Sequence, residues 1–160
     1  MIKCVYPGSF DPVTTGHLDI IERACTLFGS VTVAVLINTG KTPAFSVEKR
    51  MEFIRRSTSH LKGVSVDNFS GLLVDYMKKQ DANLIIRGLR AISDFEYEFQ
   101  IAALNAKLSK NIETVFLMTD LKNSFLSSSL VRELASHGGD ITGLVPEPIK
   151  YDVKNYLAGR

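Results

Sequence analysis

Features that mark several specialised classes of protein are absent from this sequence of 160 residues. No apolar run approaches the length of a membrane-spanning helix, and the first residues lack the charged and apolar pattern of a secretion signal. The net charge is only +2, too small to make nucleic acid the main partner. We therefore expect a cytoplasmic protein that binds neither a membrane nor a nucleic acid.

Cysteines and clusters of metal ligands are equally scarce. Cys4 falls in a predicted strand and Cys25 on the apolar face of a predicted helix, so we expect two buried free thiols rather than a disulfide or a metal pair. No group of acidic residues and histidines has the spacing of a dedicated metal cage. No repeat, low-complexity segment or linker interrupts the chain, so we expect residues 1–160 to form a single domain.

Short β-branched apolar runs alternate with helical patterns along the whole chain. The patterns predict strands over residues 2–6, 31–37, 64–69, 83–87 and 113–118, with helices between them and after the last strand. This alternation predicts an α/β, Rossmann-like fold, in which a doubly wound parallel five-stranded sheet carries helices on both faces. Ligands bind such sheets beyond the carboxyl ends of the strands, so polar residues at those ends are candidate site residues.

The densest group of such residues follows the first predicted strand. The segment YPGSFDPVTTGH contains two glycines and two prolines and leads into a helix that is predicted to begin near residue 16. A strand, a glycine loop and a helix amino terminus can bind phosphate, because free backbone amides and the helix dipole point at the loop. His17 lies in the first helical turn, within reach of the same anion. From the pattern alone, an ordinary helix cap explains the segment equally well.

Cationic residues and serines follow other predicted strands. Arg87 and Arg90 flank a glycine, and their guanidinium groups could grip a phosphate or pair with nearby acidic residues. Lys41 follows the second strand, where a lysine is more often solvated than functional. A later predicted helix begins with three consecutive serines, Ser127, Ser128 and Ser129. One serine would suffice as an N-cap, so the other hydroxyl groups could bind an anion.

Two helix faces have structural interpretations. Phe95 and Phe99 share a stripe of the helix predicted over residues 94–108, which we expect to lie in the core. Glu98 and Asn105 share a face that borders this stripe. The charged run around Arg50 predicts a solvent-exposed face of an earlier helix.

Together these segments resemble one family. The motif TTGH at residues 14–17 is similar to the (His/Thr)-x-Gly-His signature of nucleotidylyltransferases, and YPGSFDP, IRGLR and DFEYE resemble phosphopantetheine adenylyltransferases. The serine segment resembles the Ile-Ser-Ser-Thr-x-x-Arg type of motif, which cradles the triphosphate in the same group of enzymes. Ser9 and Asn123 depart from the pattern, since many members carry threonine at the first position and some carry tryptophan at the second.

The resemblance implies transfer of the adenylyl group of ATP to 4′-phosphopantetheine, giving dephospho-coenzyme A and pyrophosphate, by a homohexamer that uses Mg²⁺ bound with ATP. It implies that His17 stabilises the transition state. It implies that four residues bind the acceptor: Ser9, Lys41, Leu73 and Arg87. It implies a larger set of ATP contacts: Ser9, Phe10, His17, Gly88, Leu89, Arg90, Glu98, Asn123, Ser124, Phe125, Leu126, Ser127, Ser128 and Ser129.

Two alternatives stay open from the sequence. The first is a related nucleotidylyltransferase that acts on another phosphate, such as nicotinamide mononucleotide or glycerol phosphate. The second is a regulatory module that binds a nucleotide without turnover.

Overall fold

The structure, a computed structural model, describes residues 3–38, 40 and 42–158. Within them, one sheet is built from β1 (Cys4–Gly8), β2 (Val31–Ile37), β3 (Val64–Ser70), β4 (Leu84–Leu89) and β5 (Glu113–Met118). The helices are α1 (Thr15–Phe28), α2 (Val47–Ser57), α3 (Leu73–Lys79), α4 (Ile92–Leu108), α5 (Ser128–Ser136) and α6 (Lys150–Leu157). Single 3₁₀ turns lie at Leu121–Asn123 and Glu147–Ile149. No helix among these residues is long and apolar enough to cross a bilayer.

All five strands run parallel, in the order β3-β2-β1-β4-β5. The chain builds the sheet outward from β1 in one direction and then returns to add β4 on the other side of β1. The predicted doubly wound α/β fold is therefore confirmed. The carboxyl ends of β1 and β4 flank the point where the strand order reverses, and a crevice forms there in sheets of this kind.

Side-chain alternation along the strands divides the core into two layers. Cys4 and Tyr6 of β1 pack into one buried cluster with α1, α2, α5 and α6, whereas Val5 packs into a second cluster with α3. Both cysteines are free thiols; Cys4 is buried as expected, whereas Cys25 is only half-buried. The two layers hold the sheet rigidly, so the loops at its carboxyl edge start from fixed positions.

The fourth strand is longer than its pattern predicts. We expected the strand to end at Arg87, but β4 continues through Gly88 and Leu89, which pair with β5. A Cβ atom on Gly88 would lie 3.2 Å from Cγ1 of Ile20 in α1, so the glycine allows the helix to pack closely against the strand. The extension carries Gly88 into the wall of the crevice.

Two expectations about helix faces are wrong. Phe95 and Phe99 of α4 are 41% and 56% exposed. Phe95 meets Phe116 of β5 edge-on, at a centroid distance of 5.7 Å, but this contact leaves much of both side chains in solvent. Arg50 of α2 is only 3% exposed, because α2 directs it inward to the ends of β1 and β2. Four further large apolar side chains of α4 are also exposed: Ile92, Tyr97, Leu104 and Leu108.

Candidate active site

His17 is built into the cap of α1. Thr14 is the N-cap residue, and its hydroxyl accepts the backbone N–H of His17 at 3.3 Å. In return, the Nδ1 atom of His17 accepts the backbone N–H of Thr14 at 3.0 Å, so the ring takes the place that Glu or Gln holds in an ordinary capping box. Since Nδ1 accepts a hydrogen bond from the backbone, the neutral ring carries its own proton on Nε2, which is left as a donor.

The surroundings of His17 keep the ring neutral. Burial, together with the nearby positive charges of Arg90 and Arg87, lowers the pKa of His17 to about 4. At neutral pH the ring is therefore an uncharged hydrogen-bond donor held in one orientation.

A single phenylalanine packs between His17 and the first strand. Phe10 is 1% exposed and adopts a left-handed backbone conformation with φ of 47°. Its ring meets the rings of Tyr6 and His17 edge-on, at centroid distances of 5.3 and 5.1 Å. A Cβ atom on Gly8 would lie 2.9 Å from Cζ of Phe10, so only glycine leaves room for this ring.

His17 opens onto a cavity of about 450 Å³ at the carboxyl ends of β1 and β4, here called the polar cavity. The cavity lies at the point where the strand order reverses, as the fold predicts. Eight of the residues predicted from the sequence line it: Ser9, Phe10, His17, Arg87, Gly88, Arg90, Glu98 and Ser128.

A second cavity of about 290 Å³, here called the apolar cavity, lies beside the first and extends between α3 and α4. Leu73, predicted to contact the acceptor, lies in its wall. Asn105 lines it too, on the same face of α4 as Glu98, which agrees with the spacing of these two residues in the sequence. Three predicted residues line both cavities and mark the place where they meet: Ser9, Arg87 and Glu98.

Arg87 is held at this junction by an ion pair. Its Nε atom donates to Oε2 of Glu98 at 2.6 Å, its Nη2 atom donates to Oε1 of the same carboxylate, and its Nη1 atom donates to the carbonyl of Pro7 at 3.0 Å. A guanidinium group has five N–H donors, so two are left for a ligand. Pairing with an acidic residue and contact with a ligand are therefore compatible for this arginine.

Arg90 is anchored in a similar way. Its Nε and Nη2 atoms donate to the carboxylate of Asp94 at 3.0 and 3.2 Å, and its Nη1 atom donates to the carbonyl of Leu126 at 3.2 Å. The carboxylate orients the guanidinium, and the contact with Leu126 ties the end of β4 to the segment that precedes α5.

The three predicted serines have three different intrachain partners. Ser127 caps α5 and accepts the backbone N–H of Leu130 at 3.1 Å, whereas Ser128 donates to the carbonyl of Pro12 at 2.7 Å. Ser129 accepts a bond from Nη2 of Arg132 at 3.2 Å. The first amides of a helix lack intrahelical partners, so the amino end of α5 also offers backbone donors to an anion.

The other predicted residues are spread more widely. Asn123 and Leu126 line a recess of about 90 Å³ on the other side of His17. Leu89 is buried in β4, and Phe125 is 62% exposed. Ser124 ends the 3₁₀ turn at Leu121–Asn123. Lys41 lies outside the described residues, so its predicted role stays a prediction.

Sequence reasoning missed three residues that support the site. Tyr6 packs under the polar cavity, and burial raises the pKa of its hydroxyl well above the usual range. Arg132 donates to the carbonyl of Asp11 in the loop after β1. Arg132 is the arginine of the motif type that the serine segment resembles, and its spacing from Ser129 puts the two on one helix face, but it was given no role from the sequence. Arg50 carried no such signal, since it lies in a run of charged residues.

Carboxylates near the polar cavity are already occupied by cations or amides. Asp11 accepts the backbone N–H groups of Ala44 and Phe45, each at 2.9 Å, while Glu98 and Asp94 hold the two arginines. Among the residues that the structure describes, no group of three or more His, Cys, Asp or Glu side chains could hold a metal ion. A metal that binds here would therefore be held mainly by phosphate oxygens and water.

A doubly wound sheet with a glycine-containing loop after β1, a half-buried histidine on α1 and a serine-capped α5 is typical of the class of nucleotidylyltransferases, and residues 5–134 match the family described as cytidylyltransferase-like. The chain is 59% identical over 147 residues to a phosphopantetheine adenylyltransferase of Dictyoglomus turgidum, which covers 92% of both chains. It is 56% identical over 156 residues to the protein of that name from Prochlorococcus marinus subsp. pastoris, which covers 98% of both. The chain belongs to the phosphopantetheine adenylyltransferase family.

Solved structures with low sequence identity share the fold. The chain is similar to a nicotinic acid mononucleotide adenylyltransferase of Plasmodium falciparum, with a TM-score of 0.67 and 15% identity over 96% of this chain and 97% of that one. It is also similar to a lipopolysaccharide core biosynthesis protein of Thermoplasma volcanium, with a TM-score of 0.56 and 22% identity over 75% of this chain and 98% of that one. At these identities the likeness shows a common architecture only.

The state of His17 can be measured by NMR titration. We expect its ring to titrate near pH 4 instead of near 6.5, the ordinary value for histidine. Between these two pH values the unfolded chain binds a proton that the folded chain does not, so the free energy of unfolding falls as the pH is lowered through this window. The contribution of His17 amounts to up to about 3 kcal/mol.

His17→Gln is the matched control, because it removes the titrating ring and keeps an amide donor. The variant should lose this component of the pH dependence, which is measured as the difference between urea-unfolding free energies of the two proteins from pH 7 to pH 4. A ring that titrates near 6.5 would contradict the assignment.

Proposed function

We propose that the chain transfers the adenylyl group of ATP to 4′-phosphopantetheine and releases dephospho-coenzyme A and pyrophosphate, the penultimate step of coenzyme A synthesis. The observation that carries this proposal is the meeting of the two cavities at Ser9, Arg87 and Glu98. The polar cavity suits a nucleotide with its phosphates, and the apolar cavity suits the uncharged pantetheine arm. The names of the two close relatives support the same reaction.

The reaction needs no covalent intermediate with the protein. An oxygen of the acceptor phosphate attacks the α-phosphorus of ATP, and a new P–O bond forms while the bond from that phosphorus to the bridging oxygen of the β-phosphate breaks. The electron pair leaves with pyrophosphate. The acceptor phosphate is already a nucleophile at neutral pH, so catalysis rests on alignment and on stabilisation of charge.

His17 is assigned to the α-phosphate. Its Nε2–H is a fixed donor, because Nδ1 is occupied by the amide of Thr14. A neutral donor can strengthen its hydrogen bond as negative charge grows in the transition state, without first losing a proton. The low pKa of His17 supports this role over that of a general acid at neutral pH.

The cationic groups are assigned to the remaining phosphates. Arg87 offers its two unused N–H groups at the junction and, together with Lys41, is proposed to hold the acceptor phosphate. Arg90 and the serines at the amino end of α5 are proposed to hold the β- and γ-phosphates. Ser9 contacts the phosphates of both substrates. Mg²⁺ is proposed to arrive with ATP and to neutralise phosphate charge, bound mostly through phosphates and water.

The remaining predicted contacts concern the nucleotide and the pantetheine arm. Leu73 is proposed to contact the pantetheine arm from the wall of the apolar cavity. We propose that the base and ribose lie against residues from the end of β4, from α4 and from the segment before α5: Gly88, Leu89, Glu98, Asn123, Ser124, Phe125 and Leu126.

A homohexamer in the cytoplasm is proposed as the working form. The exposed apolar stripe of α4 supports association, because a contiguous apolar face of this kind commonly marks an interface between proteins. The free thiols of Cys4 and Cys25 support a reducing compartment.

Pyrophosphate release tests the reaction directly. With ATP and Mg²⁺, we expect release in the presence of 4′-phosphopantetheine and only background release with nicotinamide mononucleotide or glycerol phosphate. Release with nicotinamide mononucleotide or glycerol phosphate would support adenylyl transfer but contradict 4′-phosphopantetheine as the acceptor. Binding of ATP with no release from any acceptor would favour the regulatory module. Removal of Mg²⁺ by EDTA should abolish release.

Replacing Glu98 should weaken the use of the acceptor. Glu98→Gln removes the charge that holds Arg87 and leaves the shape of the side chain, so we expect the KM for 4′-phosphopantetheine to rise about tenfold, the equivalent of one charge-assisted contact. Glu96→Gln on the exposed side of the same helix is the matched control and should leave KM unchanged. An unchanged KM in Glu98→Gln would contradict the positioning of Arg87.

Sedimentation equilibrium tests the assembly. We expect a particle of about six times the 17.7 kDa of one chain. A charge introduced into the α4 stripe by Phe99→Asp should lower the measured mass, because an unpaired charge is costly to bury in an apolar interface. A monomer of the unaltered chain would reject the hexamer.

A further inference from the structure

The loop after β1 is held by side chains from helices that are distant in sequence. Arg50 of α2 donates through Nη1 to the carbonyl of Ser9 at 2.8 Å. From α5, Arg132 donates to the carbonyl of Asp11, and Ser128 donates to the carbonyl of Pro12 at 2.7 Å. Three of the loop's carbonyl groups thus depend on side-chain donors, so the loop conformation depends on the positions of α2 and α5.

Arg50 is the most buried of these donors. Only 3% of it is exposed. Burial lowers the pKa of Arg50, and the negative charges of Asp11 and Glu48 partly offset this, although neither carboxylate forms an ion pair with it among the described residues. Its Nε atom is buried without a hydrogen-bond partner. Apart from the bond to Ser9, its Nη1 atom makes a longer contact of 3.4 Å with the carbonyl of Leu36 at the end of β2.

Such an arrangement is unfavourable for stability. A buried guanidinium group that no carboxylate contacts directly is costly to desolvate, and an orphaned N–H adds to that cost. An apolar side chain of similar length would fill the same space without this cost. We infer that the benefit of Arg50 lies in its hydrogen bonds to the carbonyls of Ser9 and Leu36. These two carbonyls lie at the carboxyl ends of the neighbouring strands β1 and β2.

The bond from Arg50 to the carbonyl of Ser9 acts on a part of the loop whose backbone conformation is unusual. The next residue, Phe10, has a left-handed backbone, which a non-glycine residue adopts only when its surroundings impose it. The peptide between Ser9 and Phe10 is therefore under conformational strain, and the bond from Arg50 fixes its oxygen. The orientation of this peptide also decides where the hydroxyl of Ser9 lies in the wall shared by the two cavities.

We propose that Arg50 is a positioning residue for adenylyl transfer, which holds the peptide after Ser9 in the orientation that the transition state needs. The inference rests on the proposed function for its kinetic consequence. In this proposal Arg50 acts through its hydrogen bond to the carbonyl of Ser9.

Three variants test the role. Arg50→Met removes both carbonyl contacts and keeps an unbranched stem, Arg50→Lys keeps the charge and one donor, and Arg55→Met removes an exposed arginine of the same helix as a control. We expect Arg50→Met to lower kcat by about 10- to 100-fold, the range that a small misplacement of a reacting group produces. Its KM for 4′-phosphopantetheine should change less than about threefold, because alignment matters most in the transition state.

The Arg50→Lys variant distinguishes a loss of positioning from a loss of folded protein. We expect Arg50→Lys to recover part of kcat, since an ammonium group can reach one carbonyl but lacks the planar fork of arginine. Rates are expressed per folded molecule, with the folded fraction taken from circular dichroism. If Arg50→Met does not fold, Arg50→Lys decides alone. A kcat equal to that of Arg55→Met in either Arg50 variant would overturn the proposal.

An NMR comparison without substrate keeps this test independent of the reaction. The backbone amide signals of Ser9 and Phe10 should shift in Arg50→Lys and stay in place in Arg55→Met. If the unaltered chain fails to release pyrophosphate, the proposed function fails, while the shifts still report on the contact. Unshifted Ser9 and Phe10 signals in Arg50→Lys would reject the positioning role even in an active enzyme.

Discussion

The packing of one buried ring, Phe10, is the interaction on which the site depends. The ring occupies the space above Gly8 that a side chain there would fill, and it meets His17 edge-on. To place it there, the backbone adopts a left-handed conformation, which in turn sets the direction of the loop. The loop carbonyls then point outward to donors from α2 and α5. The shape of the polar cavity and the attachment of two helices thus depend on this packed side chain, which also holds the ring of His17 together with the cap at Thr14.

Charge in the site is arranged before any substrate binds. Arg87 and Arg90 are each oriented by a carboxylate and a backbone carbonyl, and each retains donors that are free for phosphate. Their positive charges and the burial of His17 keep its ring neutral. An arrangement of this kind requires little reorganisation when charge develops, which is the main source of stabilisation in phosphate chemistry. The stripe of α4, by contrast, stays largely exposed in the described part of the chain.

Much of this could be read from the sequence, because the relevant signals are local. The period of apolar residues predicted β2 and β5 at their observed bounds, and the alternation of elements predicted the parallel sheet. The fold then brought the strand ends together, so residues chosen only for following strands came to line one cavity: Ser9, His17, Arg87 and Ser128. The resemblance of the motifs to one family agreed with the close relatives. Local period, turn residues and motif order therefore determined the fold class, the reaction class and the approximate site.

Tertiary structure alone decided the finer assignments. A charged run cannot show that Arg50 turns inward while Arg55 stays in solvent, because that depends on which face of α2 meets the sheet. Nor can an aromatic stripe show that Phe99 faces away from the chain, since core and interface faces have the same period. Whether Arg87 pairs with Glu98 or a neighbour depends on the angle between β4 and α4. Each of these outcomes rests on contacts between segments far apart in the chain, whose geometry exists only once the sheet and its helices have packed.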